Sequence, residues 1–292
     1  MSKVTTIASL SCDEPTARRL VLDLGGSFDP ENTACSAFEA GNGQWRLEIH
    51  FREAPDAAAV AALVAKAAGE AATATLEFSQ TAAADWVARS LAGLTPVEAG
   101  RFTVHGAHHR ARVGPNRIGV EIEAALAFGT GHHGTTRGCL LALDGLLKRR
   151  RPRNVLDVGT GSGVLAIAAA RTLRRAVNAV DIDAQAVGVA RANARLNRAA
   201  AFITFARANG PSTWSVRRRA PYDLIFANIL LTPLQRMAVA LSALAAHGSR
   251  VVLSGLLPSQ AQAAISIYRA QGLTLERRIM LEGWTTLVLM KP

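Results

Sequence analysis

The chain has 292 residues, 49% of them hydrophobic, and a formal net charge of +11. That length suffices for two domains with separate cores, and no apolar run approaches the ~18 residues of a membrane span. The N-terminus, MSKVTTIASLSCDEP, shows no secretion signal, and Cys12, Cys35 and Cys139 are too scattered for a disulfide framework or metal site, so a reducing cytoplasm is expected.

The charge is unevenly spread. Residues 1–80 hold six Lys/Arg against eleven Asp/Glu, a balance of −5, and the remainder carries +16. The asymmetry fits either a composite partner or a drift in surface composition between domains.

The first eighty residues read as six short elements. Val4–Leu10 is strand-like, and Pro15–Leu24 is helical with Gly25-Gly26 as its stop. Thr33–Ala40 and Gln44–Arg52 form a hairpin around Gly41-Asn42-Gly43. Asp56 caps an Ala-rich helix running to about Glu70, and Thr73–Phe78 closes as a strand. The order β-α-β-β-α-β predicts a small α+β ferredoxin-like domain over 1–80.

A linker region, 81–123, follows. It shows a short helix at Asp85–Leu91, a turn at Gly93–Pro96, strand-like pieces at Arg101–Val104 and Ile118–Ile122, and a loop over Gly106–Asn116. From 124 to 292 strands and helices alternate. Helix Thr135–Arg149 ends in the basic run Lys148–Arg153, which is either a solvated helix end or a nucleic-acid contact. Strand Asn154–Val158, helix Val164–Leu173, strand Val177–Asp181 and helix Ala184–Asn197 come next. Strands at Phe202–Ala206, Leu224–Ala227 and Arg250–Ser254, helices around Pro233–Ala246 and Ser259–Gln271, and a pair at Arg277–Leu281 and Thr285–Met290 complete the chain. This predicts an α/β, doubly wound sheet of seven strands.

The densest signal is Asp157-Val158-Gly159-Thr160-Gly161-Ser162-Gly163, a buried strand entering a glycine turn and then a helix. Glycines let the turn bend sharply and bring backbone close to a ligand, and the helix start offers unpaired N–H groups. The dinucleotide fingerprint fails, because Val164 sits where its third glycine belongs. The next strand ends at Asp181, placed to accept hydrogen bonds from both ribose hydroxyls, with Asp183 as a helix cap two residues on.

Two further stretches converge on the same edge. Tyr222–Ala227 delivers Asn228, which either accepts a hydrogen bond from a substrate N–H or forms a turn. The loop Phe128-Gly129-Thr130-Gly131-His132-His133-Gly134-Thr135-Thr136 presents hydroxyls and backbone N–H groups that can close over a ligand. His132 and His133 suggest a base or metal ligands, as do His105, His108 and His109, but no third ligand has fitting spacing, and no metal is expected.

The Asp-x-Gly-x-Gly-x-Gly order resembles the first signature of class I methyltransferases. Taken with Phe128–Thr136, Asp181-Ile182-Asp183, Asn228-Ile229-Leu230, Leu253–Leu257 and Glu282-Gly283-Trp284 in that order, the chain resembles the ribosomal protein L-eleven methyltransferases, the PrmA family. The resemblance implies S-adenosylmethionine as cofactor, with the turn facing its methionine part and an acidic neighbour balancing the ammonium. It implies a front domain that holds the substrate, and methylation of lysine ε-amines and the N-terminal α-amine of a large-subunit ribosomal protein. Cofactor contacts are expected at Thr130, Gly131, Thr136, Asp157, Gly159, Gly161, Gly163, Asp181 and Asn228, and Asn228 also orients the reacting amine. Gly134 departs from the proline common in that loop. The expected enzyme is a monomer that needs neither a membrane nor nucleic acid. The competing readings are a lysine methyltransferase of another protein, such as an electron-transfer flavoprotein subunit, and a nucleic-acid methyltransferase. The latter lacks an Asn-Pro-Pro-Tyr signature.

Overall fold

A computed structural model describes residues 4–25, 33–41, 44–51, 54–69, 73, 75–82, 96–123 and 134–292. The chain divides into two compact units, Met1–Arg89 and Ser90–Pro292.

The first unit contains β1 (Val4–Cys12), α1 (Glu14–Gly25), β2 (Thr33–Gly41), β3 (Gln44–Phe51), α2 (Ala57–Ala68) and β4 (Glu77–Ala82). Its sheet order is β2-β3-β1-β4 with every pair antiparallel, as a ferredoxin-like sandwich requires. Every second residue of a strand faces the helices, so Ala8 and Leu10 of β1 and Leu47, Ile49 and Phe51 of β3 bury against Leu20, Val60 and Val64. Asp56 caps α2 as expected, accepting from the N–H groups of Ala58 at 2.9 Å and Ala59 at 3.4 Å; such a cap contributes about 1 kcal/mol. The closing strand lies later than the sequence pattern placed it, at Glu77–Ala82 instead of Thr73–Phe78. The residues that pair with β1 run from Glu77 opposite Ser9 to Ala82 opposite Val4. The turn Gly41-Asn42-Gly43 extends beyond the described residues, as do the helix at Asp85–Leu91 and most of the turn at Gly93–Pro96.

The second unit opens with β5 (Val97–Ala99), β6 (Phe102–His105) and β7 (Ile118–Glu121). They form a three-stranded sheet in that order, with β6 and β7 parallel. The two strand-like pieces of the connecting region are therefore β6 and β7, and β5 is an addition. Phe102, Val104, Val120 and Ile122 join the main core of this unit.

That core surrounds a seven-stranded sheet. Its elements are α3 (Gly134–Leu147), β8 (Asn154–Val158), α4 (Val164–Leu173), β9 (Ala176–Asp181), α5 (Ala184–Leu196), β10 (Ile203–Arg207), α6 (Trp214–Arg217), β11 (Tyr222–Asn228), α7 (Leu231–Leu244), β12 (Ala245–Leu256), α8 (Ala261–Ala270), β13 (Thr274–Leu281) and β14 (Trp284–Met290). The order is β10-β9-β8-β11-β12-β14-β13. β14 runs antiparallel to both neighbours, and the other ladders are parallel. Helices cover both faces, so strand residues are apolar without alternation. Val155, Phe226 and Val252 face Leu140, Leu143 and Ala166. Leu156, Ile225 and Val251 face Leu234, Leu241 and Tyr268.

Candidate functional site

The chain crosses over at β8, with β9 on one side and β11 on the other. In open α/β sheets such a reversal leaves a crevice at the carboxyl ends of the strands. The sequence places its most unusual residues there.

After β8 the backbone turns through Gly159, Gly161 and Gly163, all at positive φ (70°, 54° and 83°). A Cβ at Gly159 would lie 2.4 Å from Cγ2 of Ile229, directly after β11, so any side chain there forces Ile229 to move. The turn is latched to the neighbouring strand by the N–H groups of Gly159 and Thr160, which donate to the Val180 carbonyl at 2.9 and 3.0 Å.

Asp157 lies beneath this turn and is 1% exposed. Its Oδ2 accepts from Thr160 Oγ1 at 2.7 Å and from the Ala166 N–H at 3.1 Å, so one carboxylate clamps the turn to the first residues of α4. Burial pushes its pKa up to about 6, against the lowering effect of those two hydrogen bonds. Its Oδ1 is buried and has no partner among the described residues. A buried, unpaired carboxylate oxygen is costly, and a cationic or N–H group brought to the turn would relieve it.

Asp181, half-buried at the tip of β9, accepts from the Gly161 N–H through Oδ2 at 2.9 Å and from the Asp183 N–H through Oδ1 at 3.0 Å. Each carboxylate oxygen retains a second lone pair for a ligand hydroxyl. Asp183 caps α5 by accepting from the Gln185 N–H at 2.8 Å.

Asn228 ends β11 opposite Ser254 of β12. Its Nδ2 donates to Thr136 Oγ1 at 3.5 Å, which leaves Oδ1 as an acceptor at the crevice. Thr136 is fully buried in the first turn of α3. That turn is held from below, where Ser254 Oγ donates to the Thr135 carbonyl at 3.2 Å and lies 2.8 Å from Thr286 Oγ1. Gly134 packs so tightly on the β13–β14 turn that a Cβ would stand 2.4 Å from the Leu281 carbonyl oxygen, and Arg137 pairs with Glu282 of the same turn. Ser254 and Thr286 escape sequence reasoning because their role is to anchor other site residues. The hint available was Ser254-Gly255 interrupting an otherwise apolar strand.

Thr136, Asp157, Gly159, Gly161, Gly163, Asp181 and Asn228 thus gather at one edge of the sheet. Thr130 and Gly131, with His132 and His133, lie outside the described residues. His105, His108 and His109 belong to the β6–β7 region, where His105 Nδ1 is 2.9 Å from the Gly106 carbonyl and the other two rings lie 4.2 Å apart. Among the described residues no group of three His, Cys, Asp or Glu is placed to hold a metal. Cys139 is fully buried, and burial pushes its thiol up to about 12, which leaves it inert.

A seven-stranded sheet with one reversed strand next to its edge, a glycine turn after the central strand and a carboxylate at the next strand's tip define a class I S-adenosylmethionine-dependent methyltransferase. The family model described as ribosomal protein L11 methyltransferase (PrmA) matches residues 28–292. A ribosomal protein L11 methyltransferase of Rhodopseudomonas palustris (strain BisB5) is 53% identical over 279 residues, covering 96% of this chain and 95% of that one. One from Bradyrhizobium diazoefficiens is 52% identical, covering 95% and 94%. The crystal structure of a ribosomal protein L11 methylase from Lactobacillus delbrueckii subsp. bulgaricus superposes with a TM-score of 0.61 at 24% identity, covering 68% of this chain and 99% of that one, and supports the fold. The chain belongs to the PrmA family of ribosomal protein L11 methyltransferases.

Proposed function

We propose that the protein transfers methyl groups from S-adenosylmethionine to lysine ε-amines and the N-terminal α-amine of ribosomal protein L11. The observation that carries this reading is the Asp157–Gly163 turn joined to Asp181 beside Asn228, in a chain whose relatives at about half identity bear that name.

Asp181 accepts the ribose hydroxyls, and the backbone of Gly159, Gly161 and Gly163 lies along the methionine end. Asp157 holds the turn in shape, and its unpaired Oδ1 supplies negative charge toward an ammonium. Thr136 fixes the Asn228 amide, and Thr130 and Gly131 are the remaining cofactor contacts that the resemblance implies. When bound, the cofactor supplies a methyl already activated on a sulfonium. The rest is positioning. A lysine amine, with a reference pKa of ~10.4, sheds its proton on entering the crevice, since desolvation favours the neutral form. Asn228 Oδ1 accepts from the amine N–H and aims its lone pair. The amine that enters neutral leaves as a methylated ammonium, and a product that still carries an N–H proton loses it by the same desolvation when it re-enters for a further round. Alignment of this kind lowers barriers by up to ~7–11 kcal/mol.

The same reading has the enzyme act as a cytoplasmic monomer, with no nucleic acid required for turnover. It is supported by Cys12 and Cys139 being free thiols. None of the helices searched among the described residues is long and apolar enough to cross a membrane. Intact-mass measurement of L11 before and after incubation with enzyme and cofactor tests the substrate. Mass gains in steps of one methyl support it, and an unchanged mass alongside proven cofactor binding rejects it. Labelled cofactor in a cell extract separates L11 from another protein by the size of the labelled band.

A further inference from the structure

The sheet of the second unit has two ends. The crevice occupies the carboxyl end, and at the opposite end the chain re-enters the sheet through three basic segments. They are Lys148–Arg153 before β8, Arg174–Arg175 before β9 and Arg217–Arg219 before β11, which hold ten Lys or Arg side chains. All but the half-buried Arg219 are exposed.

These segments form one surface. Asn154 Nδ2 donates to the carbonyls of Arg219 at 2.6 Å and Pro221 at 2.9 Å, and the N–H groups of Arg153 and Asn154 both donate to Asp223 Oδ2. Arg151, Arg153 and Arg175 rim a cleft of about 250 Å³ with Pro152 and Leu173 in its wall. Among the described residues Lys148 alone of the ten has a carboxylate partner, Asp144 at 3.4 Å, and that carboxylate is already paired with Arg101. A helix C-terminus favours a basic side chain in its last turn, which accounts for one residue at each helix end. Arg150 donates to the Gly248 carbonyl at 2.5 Å, and neither effect accounts for Arg151, Arg153 and Arg175, which lie beyond the helices.

The composition indicates the partner. Nine of the ten are arginines, whose planar fork matches phosphate oxygens and stacks on flat rings. Trp214, at the head of the third segment, is 72% exposed, and the Arg218 guanidinium lies 4.6 Å from its ring centroid. An exposed indole beside unpaired arginines presents a stacking face for a base next to a track for its backbone. An acidic peptide would use the charges and leave the indole idle. We infer that this end of the sheet is a binding face for structured RNA, reading phosphates and one unpaired base, on the side remote from methyl transfer. The inference does not depend on which protein is methylated.

Fluorescence anisotropy of the full chain with a labelled RNA hairpin, from ~50 to ~200 mM salt, tests it. Wild type should bind with an affinity that falls steeply with salt, each phosphate contact adding roughly 0.7–0.9 to the logarithmic slope. The variant R151Q/R153Q/R175Q should bind at least about tenfold more weakly with a slope lower by roughly two. W214A should lose about tenfold at unchanged slope. Both should keep the wild-type melting temperature and methyl-transfer rate on isolated L11. Ultraviolet crosslinks should map to residues 148–153, 174–175 and 214–219. Crosslinks confined elsewhere, equal RNA affinity in the wild type and the triple variant, displacement by polyglutamate at equal charge, or capture only by phosphatidylglycerol vesicles would each overturn the inference.

Discussion

Asp181 and Gly161 are joined by a 2.9 Å hydrogen bond from the backbone N–H of the turn to the carboxylate at the end of the next strand. The two halves of the cofactor crevice are therefore set relative to each other before any ligand arrives. Removing the carboxylate deletes this bond to the turn and, in the proposed reading, the ribose acceptor with it. Asp181→Ala should weaken S-adenosylmethionine binding by about 10- to 100-fold, the equivalent of losing a charge-assisted hydrogen bond. Titration calorimetry measures this. Because Asp181 is half-buried on the rim, thermal stability should fall little, and undiminished cofactor heat would contradict the assignment.

In the proposed reading Asn228 lines the cofactor crevice and, beyond that, orients the reacting amine. Asn228→Ala should leave the cofactor dissociation constant within a few-fold of wild type and reduce kcat by roughly 100-fold through misalignment of the nucleophile. Thr136→Val, which removes the hydroxyl that accepts from the Asn228 amide, should give a smaller loss in the same direction. Steady-state kinetics on L11 with saturating cofactor separate the two effects.

Asp157 makes stability depend on pH with an unusual sign. Its pKa rises from 3.8 unfolded to about 6 folded, so between those values the folded state binds more protons than the unfolded state. Its contribution is fully present below about pH 4 and is lost as pH rises through 6, a change of roughly 3 kcal/mol at most. Glu121 and Asp144, whose pKa values are lowered by Arg110 and Arg101 against the opposing effect of burial, act in the opposite sense. The clean readout is therefore wild type minus Asp157→Asn in urea titrations. That difference should fall between pH 4 and 6.5, and a flat difference would remove the argument.

Gly159→Ala combines two penalties, a left-handed backbone and a Cβ 2.4 Å from Ile229. A loss of about 1–3 kcal/mol is expected. Adding Ile229→Ala should recover the steric share and leave the backbone share. A double-mutant cycle by chemical denaturation divides the two.

Much of this site was legible because its signals are local. Asp157 through Gly163 lie within one turn of chain, and Asp181 ends a strand of ordinary length. The anchoring of α3 was not legible, because Ser254 and Thr135 are 119 residues apart in sequence and nothing in either neighbourhood names the other. β5 escaped notice because three residues, Val97–Ala99, are too few to show a period. β4 was displaced toward the N-terminus because the alanine-rich stretch before it offers no alternation from which to set a register. Sequence placed Asp157 beside the glycines, but only burial shows it working beneath the turn.

The last strand of the chain is an interior one. β14 lies between β12 and β13, and the turn preceding it seats Gly134 and Arg137 at the start of α3. During synthesis Asp181 emerges 100 residues before Leu281, where the β13–β14 turn that α3 leans on begins. A nascent chain therefore carries the Asp181 carboxylate and the glycine turn before it carries the β13–β14 turn that seats α3.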